Sequence, residues 1–408
     1  MPDGAGRNRL TPWDPGWRAF TGALFLAGFA TFNLIFAPQA FLPELSSDLR
    51  IDAAGAAVVV SATALGVAAG VLPWAAVSDR IGRMRSMRMS LVLAFAVAAA
   101  VPFLPTFETV VAARGVEGLL LAATPAIGMA YIAERVDGRW AAHVAGTFVA
   151  GNTIGGIVGR LASGVASDVG GWRLAFATST VIAAGSITAF LVLTRARQDA
   201  VPGHVAGSAW SGVMTNLRRP SMVALYAQGL LLMGAFGAIY NMFGYRLQAP
   251  PLAVPASITS LVFIAYLAGT FASRRSASLA RRIGSKRALI AGSLAMLASL
   301  PLMAISSIPT MIAGLLVFTV GCFTAHPLAS GLSGRSARGA RSQSTAFYQI
   351  AWLSGTSVFG WLGGVVYAGA GWFATLGVVA VLCVLAAFIA TVGIDETSTH
   401  DRPHAAGE

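Results

Sequence analysis

Long apolar runs without charges are the feature that most constrains how this chain can fold. Residues 53–76 contain no charged side chain, and about 20 mostly apolar residues are enough to cross a bilayer as a helix. Charged residues make up only 11% of the chain, whereas soluble domains have about 25%. Because the runs are continuous and do not alternate as in membrane β-barrels, they predict an all-α integral membrane protein.

Twelve such runs fall into two groups of six. We predict membrane-spanning helices at residues 17–38, 53–77, 87–104, 108–133, 140–166, 172–194, 221–246, 256–275, 286–305, 309–332, 342–368 and 372–393. A polar segment, residues 195–220, separates a first six-helix bundle at 17–194 from a second at 221–393, with tails at 1–16 and 394–408.

Lysines and arginines are concentrated on one side of the predicted membrane. Of the 28 in the chain, 23 fall in the tails and in the loops after even-numbered spans, while Arg50, Arg173 and Arg246 fall on the opposite side. Because cytoplasmic loops carry the excess of basic residues, both termini are predicted to be cytoplasmic. Topology therefore accounts for the net charge of +12, and we expect no nucleic-acid partner. Cys322 and Cys383 lie singly in apolar runs, so no metal or other cofactor is expected.

The two halves of the chain resemble each other in sequence. Three short segments recur at offsets of 200 to 202 residues: Ile81-Gly82-Arg83 with Ile283-Gly284-Ser285, Ala123-Thr124-Pro125 with Ala325-His326-Pro327, and Gly171-Trp172 with Gly371-Trp372. Duplicated six-helix halves predict a pseudo-two-fold axis along the membrane normal. A substrate site is then expected near the midplane, between two bundles that rock about it.

Arg114, Glu117 and Arg160 are the only charged residues well inside the predicted spans. Such residues are costly in a membrane and are functional candidates. Arg114 and Glu117 are three residues apart and share a helix face, and Arg160 lies at a comparable depth, so we expect the three to approach one another. Glu117 is a candidate proton carrier if a conformational change separates it from an arginine; a static ion pair is the alternative. His326 is a second titratable candidate, the alternative being a histidine bonded to a carbonyl group.

Four stretches carry a resemblance to a known family: SDRIGR, VAGNTIGGIVGRLASG, LLLMGAFGAIYN and FTAHPLASG. They resemble the major facilitator superfamily, within its drug:proton antiporter and sugar-efflux branch, and are most similar to bacterial YnfM-like exporters. The resemblance implies a monomeric, multi-pass transporter of the bacterial cytoplasmic (inner) membrane that exchanges a small-molecule substrate for protons by alternating access.

The loop after span 2 is similar to the family's G-x-x-x-D-R-x-G-R motif. It supplies Asp79, Arg80, Gly82 and Arg83, with Ala75 in place of the first glycine. The resemblance implies that Asp79 helps to latch the two bundles on the cytoplasmic side, where an anion is favoured beside a helix N-terminus. A simple topology signal is the alternative, although it does not explain the acid or the glycine.

Family analogy also assigns residues to the substrate cavity and to helix packing. The cavity candidates combine aromatic and amide side chains: Asn33, Gln39, Asn152, Tyr226, Met233, Tyr240, Asn241, Tyr348, Gln349 and Trp352. Gly151, Gly155 and Gly159 are four residues apart, a spacing that lets membrane helices approach closely.

The leading hypothesis is a proton-coupled exporter of small organic, amphipathic compounds. A sugar or metabolite transporter, working in either direction, is the alternative, and a membrane sensor that transports nothing is a third. The sequence contains no catalytic dyad or phosphate-binding loop, so we do not expect an enzyme.

The charge distribution leads to a topology prediction. Green fluorescent protein fused to the C-terminus should fluoresce in bacterial cells, and alkaline phosphatase fused at the same point should be inactive, because the positive-inside rule places this end in the cytoplasm. An active phosphatase fusion would contradict the predicted orientation.

Overall fold

The structure, a computed structural model, describes residues 9–195, 215–337 and 341–394, without the side chains of residues 341 and 342. Most of the predicted linker and of the two tails, at residues 1–8, 196–214 and 395–408, lies outside the described residues.

The described residues are predominantly helical. In chain order the helices are α1 (Trp17–Phe36), α2 (Leu42–Leu49), α3 (Ala53–Ile81), α4 (Arg83–Ala100), α5 (Phe107–Leu121), α6 (Ala123–Arg135), α7 (Gly138–Thr194), α8 (Pro220–Gln248), α9 (Ala256–Thr259), α10 (Ala265–Ile283), α11 (Ser285–Ala304), α12 (Ile308–Arg335) and α13 (Arg341–Gly393). Short 3₁₀ helices extend α1, α4 and α9.

Ten helical stretches of the described chain are long and apolar enough to cross a membrane. The two longest, α7 and α13, are each interrupted by non-helical backbone, at Gly170 and Gly171 in α7 and at Gly371 in α13. Each therefore forms two spans, which confirms the predicted all-α chain with twelve crossings. Large apolar side chains such as Val181 and Phe388 are exposed, as expected for surfaces that contact lipid.

The sequence repeat is also a repeat of backbone conformation. Gly82, between α3 and α4, has φ 96° and ψ 148°, and Gly284, between α10 and α11, has φ 90° and ψ 148°. The kink glycines also match, with φ 67° at Gly171 and 77° at Gly371. Positive φ values favour glycine because it has no Cβ, so the matched segments form the same turns in both halves.

The chain divides into two compact units. The first contains the described helices up to residue 195 together with residues 243–264, and the second contains residues 215–242 and 265–394. Within the first unit, the Asp168 carboxylate at the end of the first span of α7 accepts the backbone N–H groups of Ala256 and Ser257, at 3.2 and 2.9 Å. The Tyr245 hydroxyl donates to the Leu42 carbonyl at 2.9 Å. Residues 243–264 thus pack on helices from the first half of the sequence.

Glycine-mediated close packing in the first unit joins α1 to α7. A Cβ atom on Gly151 would lie 2.2 Å from the Phe25 carbonyl oxygen, and one on Gly155 would lie 2.2 Å from that of Phe29. Gly159 faces Asn33 in the same way, with its Cβ position 2.4 Å from the amide oxygen. At this distance glycine Cα–H groups contact carbonyl oxygens across the interface, and any side chain would force the helices apart.

This packing gives a stability prediction with a matched control. We expect Gly155→Ala to lower the free energy of unfolding by about 1–3 kcal/mol, the usual cost of overpacking. Gly146→Ala lies on the same helix, where a Cβ atom would have no neighbour within 4 Å, and it should be neutral or slightly stabilising because alanine favours helix. Thermal unfolding in detergent measures both variants; equal midpoints would contradict the proposed close contact.

Candidate functional site

A fully buried charged pair lies on α5. Arg114 Nη1 is 2.6 Å from Glu117 Oε2, and the two side chains are 1% and 0% exposed. Their helix is held close to α3, since a Cβ atom on Gly118 would lie 2.1 Å from the Thr63 carbonyl oxygen. Arg114 and Glu117, which were predicted to share a helix face, therefore form a direct ion pair that is shielded from water.

Arg114 also binds the end of α1. Its Nη2 donates to the carbonyl oxygens of Leu34 and Ile35, at 3.0 and 2.9 Å. Because Pro38 has no N–H, the Leu34 carbonyl lacks its usual helical donor. The last carbonyls of a helix also carry partial negative charge, which favours a cation. Arg114 is thus held by two carbonyls in addition to Glu117.

The pair leaves two polar atoms without partners. Glu117 Oε1 and Arg114 Nε are both buried and have no hydrogen-bond partner among the described residues. Buried polar groups are normally satisfied, and a partly satisfied network in a low dielectric is costly. The free carboxylate oxygen is therefore a position at which a proton or a polar ligand atom would be stabilised.

Arg160, on α7, contacts a different set of residues. Its Nε and Nη2 donate to Gln39 Oε1 at 2.9 and 2.5 Å, and Nη1 donates to the Gly156 carbonyl at 2.8 Å. The guanidinium carbon lies 4.7 Å from the ring centroids of both Phe36 and Phe263. Gln39, predicted to line the cavity, serves here as an acceptor for a buried arginine.

The predicted cytoplasmic gating residues form an ionic cluster. Gly82 makes the turn that brings Arg83 back against α3, where Arg83 Nη1 is 2.7 Å from Asp79 Oδ1. Arg83 Nη2 is also 2.9 Å from Glu134 Oε1, at the end of α6. Arg80 is exposed. Sequence reasoning missed Glu134, although an acid ending span 4 on the arginine-rich side was a usable signal.

Most of the predicted cavity residues are bound within their own unit. Asn33 donates to the Ser179 carbonyl at 2.7 Å, the Tyr226 hydroxyl is 2.9 Å from Ser344 Oγ, and that of Tyr240 is 2.7 Å from Thr319 Oγ1. Asn241 is buried against Gly360. Four candidates keep partly exposed side chains: Asn152, Met233, Gln349 and Trp352.

Tyr348 binds His326. The Tyr348 hydroxyl is 2.9 Å from His326 Nδ1 and 3.0 Å from the His326 backbone oxygen. The Trp352 ring lies edge-on to the imidazole, with centroids 5.9 Å apart. The alternative prediction was a histidine ring bonded to a carbonyl group. Here the ring contacts the Tyr348 hydroxyl, and it is Tyr348 that contacts a carbonyl oxygen.

Glu44 on α2 is an acid that sequence reasoning missed. Burial raises the pKa of its carboxyl group, the neighbouring Gln248 side chain opposes the rise, and the charge of Asp168 adds to it. Because the raised pKa belongs to the folded chain, lowering the pH favours the folded surroundings of Glu44. Glu44 and Asp168 lie in loop-proximal segments, so hydropathy alone gave no reason to single them out.

The chain is similar in sequence to known membrane transporters. Residues 24–278 match the sequence profile of the Major Facilitator Superfamily. The inner membrane transport protein YnfM of Escherichia coli is 32% identical over 96% of this chain and 93% of its own length. YybF of Bacillus subtilis, an uncharacterized MFS-type transporter, is 28% identical over 92% and 93% of the two chains.

Solved structures share the fold. A bacterial homolog of the human lysosomal transporter Spinster, in an inward-facing conformation, superposes with a TM-score of 0.76 over 94% of this chain and 98% of its own, at 12% identity. The nucleoside transporter NupG superposes with a TM-score of 0.71 over 92% and 100%, at 17% identity. The predicted twelve-helix fold is confirmed, and at these identities the likeness extends to the fold alone.

The Arg160 contacts lead to a prediction. Gln39→Leu removes the acceptor of two Arg160 donors, so we expect the free energy of unfolding to fall by about 1–3 kcal/mol, the usual cost of unsatisfied buried groups. Gln39→Glu keeps an acceptor and should retain stability. Thermal unfolding in detergent compares the two; a Gln39→Leu protein as stable as the wild type would show that this contact is dispensable.

Proposed function

The chain belongs to the major facilitator superfamily, and we propose that it exports small organic compounds across a bacterial cytoplasmic membrane in exchange for protons. The observation that carries the proposal is the buried Arg114–Glu117 pair, whose carboxylate keeps one oxygen without a partner among the described residues. Intramembrane acids of this kind mark ion and proton pathways.

Glu117 is the proposed proton carrier. In the ionised state Arg114 neutralises it across 2.6 Å. Proton binding removes that attraction, yet Arg114 keeps its two bonds to the Leu34 and Ile35 carbonyls. The guanidinium therefore does not need to follow Glu117, and the two groups can separate. Such a separation gives two states that differ by one proton, as exchange of a substrate for a proton requires.

The Asp79–Arg83–Glu134 cluster is the proposed cytoplasmic gating element. Arg83 bonds to acids on α3 and α6, which fixes the α3–α4 turn against the end of α6. The Asp79 side chain is 56% exposed, so it remains accessible to a further partner. A fixed turn that presents an accessible acid fits a contact made in one transport state and broken in the other.

A sugar or metabolite transporter is the alternative. The partly exposed Gln349 favours it, since an amide group can both donate to and accept from sugar hydroxyls. Flux of radiolabelled sugars and of organic cations into the same proteoliposomes separates the two possibilities.

The proposal predicts the behaviour of two matched variants. In inside-out vesicles with an acidic interior, Glu117→Gln should abolish proton-driven accumulation of ethidium, because the amide cannot take up or release a proton. Glu108→Gln, an exposed acid on the same helix, should leave accumulation near the wild-type rate. Fluorescence quenching of the dye measures both. Wild-type accumulation with unchanged pH dependence in Glu117→Gln would contradict the proposal.

A further inference from the structure

Both contacts of Tyr348 can be hydrogen bonds with only one placement of hydrogen on the His326 ring. The tyrosine hydroxyl has a single hydrogen, and it lies 3.0 Å from the His326 backbone oxygen, which can only accept. For both contacts to be hydrogen bonds, the hydroxyl donates to that carbonyl. Its remaining contact, 2.9 Å to Nδ1, is then a hydrogen bond only if Nδ1 carries the hydrogen and donates it.

This assignment leaves Nε2 as an acceptor. In an uncharged imidazole one nitrogen donates and the other accepts, so a hydrogen on Nδ1 gives Nε2 a free lone pair. The His326 side chain is partly exposed, and Nε2 has no hydrogen-bond partner among the described residues. The lone pair is thus available to a ligand.

An aromatic surface lies beside this acceptor. Trp352 is partly exposed, and its ring stands at 78° to the imidazole with centroids 5.9 Å apart. The Tyr348 ring lies 5.4 Å from the imidazole and is itself 1% exposed, so Tyr348 positions the histidine while Trp352 is the more accessible of the two rings. One directed acceptor beside a flat apolar ring is typical of small-molecule sites.

We propose that His326 and Trp352 form a subsite for planar aromatic compounds that carry an N–H or O–H donor. The donor binds His326 Nε2, the aromatic system packs on Trp352, and Tyr348 fixes the tautomer. This inference rests on the proposed function for the choice of small organic ligands, and it goes further by naming the chemical group that the second unit recognises.

Two dyes with the same ring system test the inference. Proflavine has two ring-bound amino groups with N–H donors, whereas acridine orange has the same groups fully methylated. Fluorescence anisotropy measures the binding of each to purified protein in nanodiscs. We expect the wild type to bind proflavine about threefold to tenfold more tightly, the range for one net hydrogen bond.

Variants locate the preference. His326→Leu should bind both dyes equally, His326→Gln should keep part of the preference because it retains an acceptor, and Tyr348→Phe should reduce it by releasing the tautomer. His143→Leu, which changes an exposed histidine on α7, is the matched control and should keep the wild-type ratio. Thermal unfolding of each variant shows that it is folded.

Nitrogen-15 NMR of histidine-labelled protein tests the tautomer separately, with the His326 signals identified by their loss in His326→Leu. Hydrogen on Nε2 in the uncharged ring would overturn the inference, as would equal affinity of the wild type for both dyes or no binding of either. If the dye preference holds but vesicles show no proton-driven flux, the proposed function fails and the subsite remains.

Discussion

An ion pair without access to water is the interaction on which the first unit depends. Removing a charge from water costs several kcal/mol per ion. The attraction within the pair offsets that cost only when the geometry is good and the remaining polar atoms of both groups are hydrogen-bonded. Arg114 meets most of this condition with Glu117 and two helix-end carbonyls, and its Nε alone lacks a partner among the described residues. Glu117 has only the arginine, and one of its oxygens is unpartnered among the described residues. The acid is therefore the member of the pair whose charge is less firmly held.

Glycine-mediated packing places these groups at the required distances. Burial of apolar surface contributes little to helix association inside lipid, because the lipid is itself apolar. Close packing at small residues therefore contributes more to holding the helices together. Gly151, Gly155 and Gly159 bring α7 onto α1, and Gly118 brings α5 onto α3. The end of α1 then lies within reach of Arg114 and, through Gln39, of Arg160. A loosened interface would change the ion pair and the helix packing together.

Features that depend on local spacing could be predicted from the sequence. Apolar run lengths predicted the spans, the three-residue spacing predicted that Arg114 and Glu117 share a helix face, and the sequence repeat marked Gly82 and Gly284 as equivalent positions. Contacts between distant segments could not be predicted in this way. Gln39 contacts Arg160 from the 3₁₀ helix Ala37–Ala40 that extends α1. Nothing in the local pattern indicates that Asp168 binds residues 256 and 257.

Infrared difference spectroscopy tests the central claim, that Glu117 exchanges a proton within the membrane. Protein reconstituted in lipid is recorded while the pH is stepped, and the stretching band of a protonated carboxyl group is followed. The account predicts a pH-dependent band in the wild type that is missing from Glu117→Gln and present in Glu108→Gln. A band that persists unchanged in Glu117→Gln would contradict it, and so would a wild-type spectrum with no such band at any pH.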